Sequence, residues 1–193
     1  MLVIFDLDNT LVHLDIKWSL LKEDLIKLAH KKGVSLKGSL STMMIAHRLA
    51  EEGYRAEVNC LYHKYEDPCV KEDRIIIFPR MVGILRKLKE RGDKIAVYSG
   101  NTHSTIEAAL HKSGILNLVD IIVGSDDGYE LKPSPQPILS IMRDLGFDAD
   151  STIFVGDSES DEMAAKAAGI RFFKVRTLNQ FDMDALEKEL NLS

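Results

Sequence analysis

The sequence predicts an α/β protein: a Rossmann-like parallel sheet core with an all-helical segment inserted after its first strand. Three observations carry this. Short apolar runs that end in polar residues recur at 2–5, 95–98, 119–123, 152–155 and 171–175. Amphipathic helical patterns separate the later runs, and strand–helix alternation builds a parallel sheet covered on both faces. Between 14 and 74 no strand pattern occurs, only helical ones.

The elements follow in order. Leu2 to Phe5 is a wholly apolar run, the mark of a strand buried on both faces. The insert then holds three helical patterns. The first carries Ile16, Trp18, Leu21, Leu25 and Leu28 and stops at Gly33. The second carries Leu36, Leu40, Met43, Met44 and Leu49 and stops at Gly53. The third carries Tyr54, Val58, Leu61, Tyr62 and Tyr65 and ends near Pro68. The chain re-enters the core near Ile75. The predicted division is a core of residues 1–13 with 77–193, and a helical insert of 14–76. In the core, Pro79 suits a first helical position before Met81, Ile84, Leu85 and Leu88, and Arg91-Gly92 closes that helix. Helices at 102–112 and 135–145 meet the glycine stops Gly114 and Gly146. A helix at 158–168 ends at Gly169, and 182–190 forms a last amphipathic one.

Composition narrows the function. A chain of 193 residues suits one domain with a small insert. Its net charge of -5 leaves no electrostatic footprint for nucleic acid or an anionic membrane. An anionic ligand must be drawn in by local positive charge. Cys60 and Cys69 form no metal-binding pattern and read as two reduced thiols. No segment approaches the roughly 20 apolar residues of a membrane helix, and the start lacks the basic, then apolar, pattern of a signal peptide. The expected compartment is the cytoplasm. Oligomeric state is not readable.

Ligands in such folds bind at the carboxyl ends of the strands, so the polar residues there matter most. Asp6 and Asp8 end the first strand, and alternation puts both carboxylates on one side with Leu7 pointing away. Two close carboxylates need a counter-charge, and Mg2+ suits oxygen ligands. One carboxylate can attack phosphorus while the other moves a proton. A pair of turn and capping aspartates has the same pattern. Ser99-Gly100-Asn101 follows the second strand and offers a hydroxyl and free N–H groups to a phosphate, or simply a helix cap. Lys132-Pro133-Ser134-Pro135 sets a lysine in a stiff backbone, where its ammonium can neutralise a nucleophile and a phosphate, or face water. Gly156-Asp157 closes the fourth strand, and Asp157 and Asp161 stand four apart at a helix start, as ordinary N-terminal helix charge also would. Gly156 lets the backbone approach its neighbours.

Together and in this order, the clusters resemble the four signature motifs of the haloacid dehalogenase-like superfamily. Asp6-Leu7-Asp8-Asn9-Thr10 is similar to the first motif, Ser99 to the second, Lys132 to the third, and Gly156-Asp157 with Asp161 to the fourth. The Pro79 helix and the Lys132-Pro133-x-Pro135 run look most like the phosphoglycolate-phosphatase-like branch, whose helical cap lies where the 14–76 insert does. The resemblance implies roles. Asp6 would be the nucleophile and a Mg2+ ligand. Asp8 would be the general acid and base, with its backbone carbonyl on the metal, and Asp157 would complete the protein ligands. Lys132 would offset charge, Asp161 would support the metal site and hold Lys132, and Thr10 would position the acid/base loop. Ser99, with the N–H groups of Gly100 and Asn101, would hold the transferring phosphoryl group.

The resemblance also separates reactions. Asp8 argues for phosphate-ester chemistry, because dehalogenases and phosphonatases of the superfamily lack an aspartate there. The expected function is hydrolysis of a small phosphorylated metabolite through an aspartyl-phosphate on Asp6. A sugar phosphomutase using the same pair is the enzymatic alternative, and a non-catalytic binding protein on the same fold is the alternative of another class. Substrate choice is expected from the insert, with Trp18, His47, Arg48, Arg55, His63 and Lys64 as candidates, and from His13 and His103 beside the motifs.

Overall fold

A computed structural model describes residues 1–176 and 179–192. Its main sheet has strands β1 (Leu2–Phe5), β4 (Lys94–Tyr98), β5 (Ile121–Val123), β6 (Thr152–Gly156) and β7 (Arg171–Lys174), in the order β5-β4-β1-β6-β7. Every pairing in it is parallel; Leu2 lies opposite Lys94 on one side and Thr152 on the other. The chain leaves central β1, fills one side of the sheet, then crosses to fill the other. That reversal opens a crevice at the carboxyl end of β1.

Alternation along the strands sorts the core into two layers. Val3, Phe5, Ile95, Val97, Ile153 and Val155 face one way, onto α4 (Pro79–Glu90), α5 (His103–Lys112) and α8 (Gln180–Glu189). Leu2, Ile4, Ala96, Tyr98 and Phe154 face the other, onto α6 (Gln136–Leu145) and α7 (Glu159–Ala167). All eleven are buried, which is why these runs read as continuously apolar.

The helical insert is α1 (Trp18–Lys32), α2 (Thr42–Glu51) and α3 (Arg55–Lys71). Leu21, Leu25, Ala29, Ile45, Ala46, Leu49, Val58 and Tyr62 form its own core, and Leu131 of the main domain joins them. The chain leaves and returns through an antiparallel ribbon of β2 (Val12–Leu14) and β3 (Ile75–Ile77), with His13 opposite Ile76.

The structure departs from the sequence reading in four places. The β2–β3 ribbon was not expected; each strand has three residues, too few for a periodic signal. The second insert helix starts at Thr42, capped by the Ser41 hydroxyl, which accepts the Met44 N–H. Leu36 and Leu40 belong to the loop before it and pack half-buried against the insert core. The third runs through Pro68 to Lys71, carrying buried Cys69 into the main core. The run at 119–123 is a strand only over Ile121–Val123, following a 3-10 turn at Leu116–Leu118. Other helix ends differ by one or two residues, as frayed ends do.

Candidate active site

Asp6 leaves β1 and is nearly buried, at 7 % exposure. Its Oδ1 accepts a hydrogen bond from Lys132 Nζ at 2.7 Å, and the same ammonium donates to Asp161 Oδ1 at 2.6 Å. Lys132 is 2 % exposed and its Nζ lies 4.8 Å from the Tyr98 ring centre and 5.2 Å from that of Phe154. Burial opposes its charge, but Asp161 and Asp6 outweigh burial and raise its pKa. The lysine is therefore a fixed cation, not a surface one.

Asp161 is fixed from the other side. It is the third residue of α7 and forms a reciprocal cap with Ser158: its Oδ2 accepts from the Ser158 N–H and hydroxyl, while the Asp161 N–H donates to Ser158 Oγ. Gly156 makes room for it. A Cβ there would sit 2.7 Å from Asp161 Oδ2 and 2.8 Å from its Cγ, so a side chain would drive the carboxylate off Lys132.

Asp6, Asp157 and Asp161 each bring a carboxylate oxygen within 4.8 Å of the others. Burial first, then Asp161 and Asp8, push Asp157 up to about 6. Asp6 is also pushed up, by burial chiefly and by Asp161 and Asp157, despite Lys132. The two ends of the Asp6–Lys132 pair thus disagree: the lysine is held charged while its partner is driven toward neutrality. Burial, with three carboxylates against one ammonium, explains this, and a further cation would offset the charge. The donors are all oxygens, which suits a hard divalent ion such as Mg2+. The residues fit that ion.

Asp8 departs from the simple pairing with Asp6. Its carboxylate turns toward the insert, accepting the Leu14 N–H at 2.8 Å and the Trp18 indole N–H at 3.0 Å. Burial raises its pKa. Asn9 sits in the left-handed region at φ 60° and its side-chain oxygen contacts His13 Nδ1 at 2.8 Å. Thr10 is buried within this turn, its N–H donating to the Leu7 carbonyl at 3.2 Å.

The loop after β4 faces this group. Ser99 Oγ donates to Asn101 Oδ1 at 2.9 Å, and the Asn101 N–H returns to Ser99 Oγ at 3.3 Å. Ser99, Gly100 and Asn101 line one cavity of about 270 Å³ with Asp6, Asp8, Lys132, Asp157 and Asp161. Every residue given a role in the sequence lines it except Thr10, which is buried. The insert closes its far side with Trp18, Ser41, Thr42, Met43 and Tyr62. Met43 comes so near Gly100 that a Cβ there would lie 1.9 Å from its Cε.

Of the insert candidates, Trp18 alone reaches the cavity. Arg55 donates to the Ser125 carbonyl and His63 lies 3.6 Å from Asp126, both joining the insert to the main domain. His47 and Arg48 face Glu51 and Glu52, Lys64 pairs with Asp24, and His103 with Asp127. The sequence reading missed Tyr62 and Glu66. The signal was present: Val58, Tyr62 and Glu66 stand four apart on the buried stripe of α3, so an acidic residue falls on an apolar face.

Comparison with known proteins agrees with this geometry. Residues 3–175 match the model of the haloacid dehalogenase-like hydrolase family. A phosphoglycolate phosphatase of Rhodospirillum rubrum is 29% identical over 186 residues, covering 87% of this chain and 76% of that protein. One of Cereibacter sphaeroides is 31% identical over 184 residues, covering 88% and 82%. Among solved structures, a HAD phosphatase from Thermococcus onnurineus superposes with TM-score 0.67 at 21% identity, covering 97% of this chain and 96% of that one. The two chains share a fold. With the match running from β1 through β7, the chain belongs to the haloacid dehalogenase-like hydrolases.

Proposed function

We propose that this protein is a magnesium-dependent phosphatase that hydrolyses a small phosphomonoester through an aspartyl-phosphate on Asp6. The buried Asp6–Lys132–Asp161 bridge, set beside Asp157 and facing the Ser99–Asn101 loop, carries the reading.

In this reading Asp6 attacks phosphorus. As the new Asp6 oxygen–phosphorus bond forms and the ester P–O bond breaks, Asp8 gives the leaving oxygen a proton. Asp8 then takes a proton from water, which attacks the same phosphorus and releases inorganic phosphate and Asp6. Burial suits Asp8 to this by raising its pKa. Its Oδ2 must turn from the Trp18 indole to reach the leaving group. Asp6 and Asp157, with the Asp8 main-chain carbonyl, would hold Mg2+, and Asp161 would support them. When bound, the ion offsets charge on the transferring phosphoryl group. Lys132 supplies the fixed part of that offset. Ser99, its hydroxyl turned from Asn101 Oδ1, and the N–H groups of Gly100 and Asn101 would orient the phosphoryl oxygens.

A cavity of about 270 Å³ favours a small substrate. The relatives named phosphoglycolate phosphatase support phosphoglycolate as the first compound to test. Residues 14–76 would act as the cap that shapes this cavity, and the cytoplasm is the expected compartment. The deciding assay is hydrolysis of p-nitrophenyl phosphate with and without Mg2+, beside Asp6→Asn. Metal-dependent turnover that the variant loses is expected. No metal dependence, or equal turnover in the variant, would refute the reading. Phosphoglycolate, sugar phosphates, nucleotides and pyrophosphate would then be compared by kcat/KM.

A further inference from the structure

Glu66 is a carboxylate that the chemistry above does not use. It lies on α3 of the insert with no exposure to solvent. Its Oε1 accepts Asn101 Nδ2–H at 2.8 Å; its Oε2 accepts the Thr102 backbone N–H at 2.9 Å and the Thr102 hydroxyl at 2.7 Å. All these donors are neutral, and no ion pair reaches Glu66 among the described residues.

A buried carboxylate without a counter-charge is a costly joint. Apolar side chains would fasten a helix to a loop more cheaply. What a carboxylate adds is direction, because it only accepts. Asn101 must turn its NH2 to Glu66, so its carbonyl oxygen faces Ser99, where it accepts the Ser99 hydroxyl. Were the amide flipped, carbonyl would meet carboxylate, and Ser99 Oγ would accept from the amide instead of donating to it. Oε2 meanwhile pins the residue that caps α5, immediately after the loop. The charge of Glu66 does nothing to attract a phosphate; it sits behind the loop, and attraction falls to Lys132 and the backbone N–H groups.

We propose that Glu66 is a positioning residue for the phosphoryl-binding loop: it sets the Asn101 amide, through it the Ser99 hydroxyl, and ties the geometry of the loop to the docked insert. The proposal rests on the phosphatase reading of that loop.

The test uses inorganic phosphate, titrated into the whole protein with Mg2+ present. Binding is read from the fluorescence of Trp18, the chain's single tryptophan, which lines the cavity. Glu66→Gln keeps the shape, but one of the donors then meets an NH2 whichever way the amide lies. Its phosphate Kd should rise by about tenfold, with a similar fall in kcat on p-nitrophenyl phosphate, since a buried donor is orphaned. Thr102→Val removes one donor from the other side and should raise the Kd by about threefold. The double variant Glu66→Gln with Ser99→Ala should bind little worse than Ser99→Ala alone, because both changes act through the same hydroxyl. A purely structural Glu66 would lower Tm and leave Kd and this coupling untouched.

An unchanged Kd in folded Glu66→Gln, or strict additivity with Ser99→Ala, overturns the proposal. If Glu66→Gln does not fold, an unchanged Kd in Thr102→Val overturns it instead. Wild-type protein that binds phosphate but turns nothing over refutes the phosphatase reading alone, and the Kd values still decide Glu66.

Discussion

The two edges of the main sheet treat aspartate in opposite ways. At the amino edge, Asp120 accepts Lys89 Nζ at 2.7 Å, Lys94 Nζ at 2.8 Å and the Ile95 N–H at 2.9 Å. Asp93 beside it accepts Arg91 Nε at 2.7 Å. There cations match or outnumber carboxylates. At the carboxyl edge, Asp6, Asp8, Asp157 and Asp161 line one cavity with Lys132, which pairs with Asp6 and Asp161 alone. The pKa values follow. Asp120 is held down to about 2: burial works against this, and the Ile95 N–H, Lys89 and Lys94 overcome it. Asp157 is driven up to about 6 by burial and its acidic neighbours. The same side chain stabilises one edge and is kept unsatisfied at the other, where a phosphate chemistry would use the deficit.

Changes at each edge should therefore move activity and stability apart. The largest effect is Asp6→Asn: kcat should fall by about 10⁴, or ~5.4 kcal/mol, while the Tm of the metal-free protein rises because one crowded charge is gone. Thermal melts beside steady-state rates check both halves, and a fall in Tm would break the comparison. Next is Lys132→Met. Removing the cation that pairs with both leaves Asp6 and Asp161 buried and unpaired, at a cost of ~3–5 kcal/mol in denaturant unfolding. Third, Mg2+ at about a hundred times its Kd should stabilise the wild type by ~2.7 kcal/mol, and Asp157→Asn should lose most of that gain in the same melts.

The smallest effect lies at the amino edge. Asp120→Asn should cost ~1 kcal/mol at pH 7 and leave kcat within about twofold. The folded pKa of Asp120 lies below its ordinary value of 3.8, so its contribution is complete above that pH and is lost as pH falls toward about 2. The stability gap between wild type and variant should accordingly close between those values. A gap that persisted there would assign the cost to packing instead.

Much of this arrangement was legible in the chain. The buried strands announced themselves as apolar runs, and the aspartates, serine and lysine after them meet at the crevice that a parallel sheet must have. The reciprocal cap of Ser158 and Asp161, which leaves Asp161 Oδ1 for Lys132, came only with the structure. Tertiary choices were not legible. Nothing local says that Asp8 turns to Trp18, ten residues on, or that Glu66 meets Asn101 and Thr102 across the domain junction. The β2–β3 ribbon was hidden for another reason: strands this short are specified by their partner, not by a pattern of their own.

Leu131 joins the hydrophobic core of the insert, and its neighbour in sequence is Lys132. The insert is therefore not an independent module that could be exchanged at its ribbon. An insert grafted from a relative would need a seat for Leu131, or the loop carrying the lysine would lose its anchor. Change in the cavity is then constrained: residues around the Leu131 seat, Tyr62 among them, must change together or stay, while half-buried Met43 on the cavity wall has more room to vary.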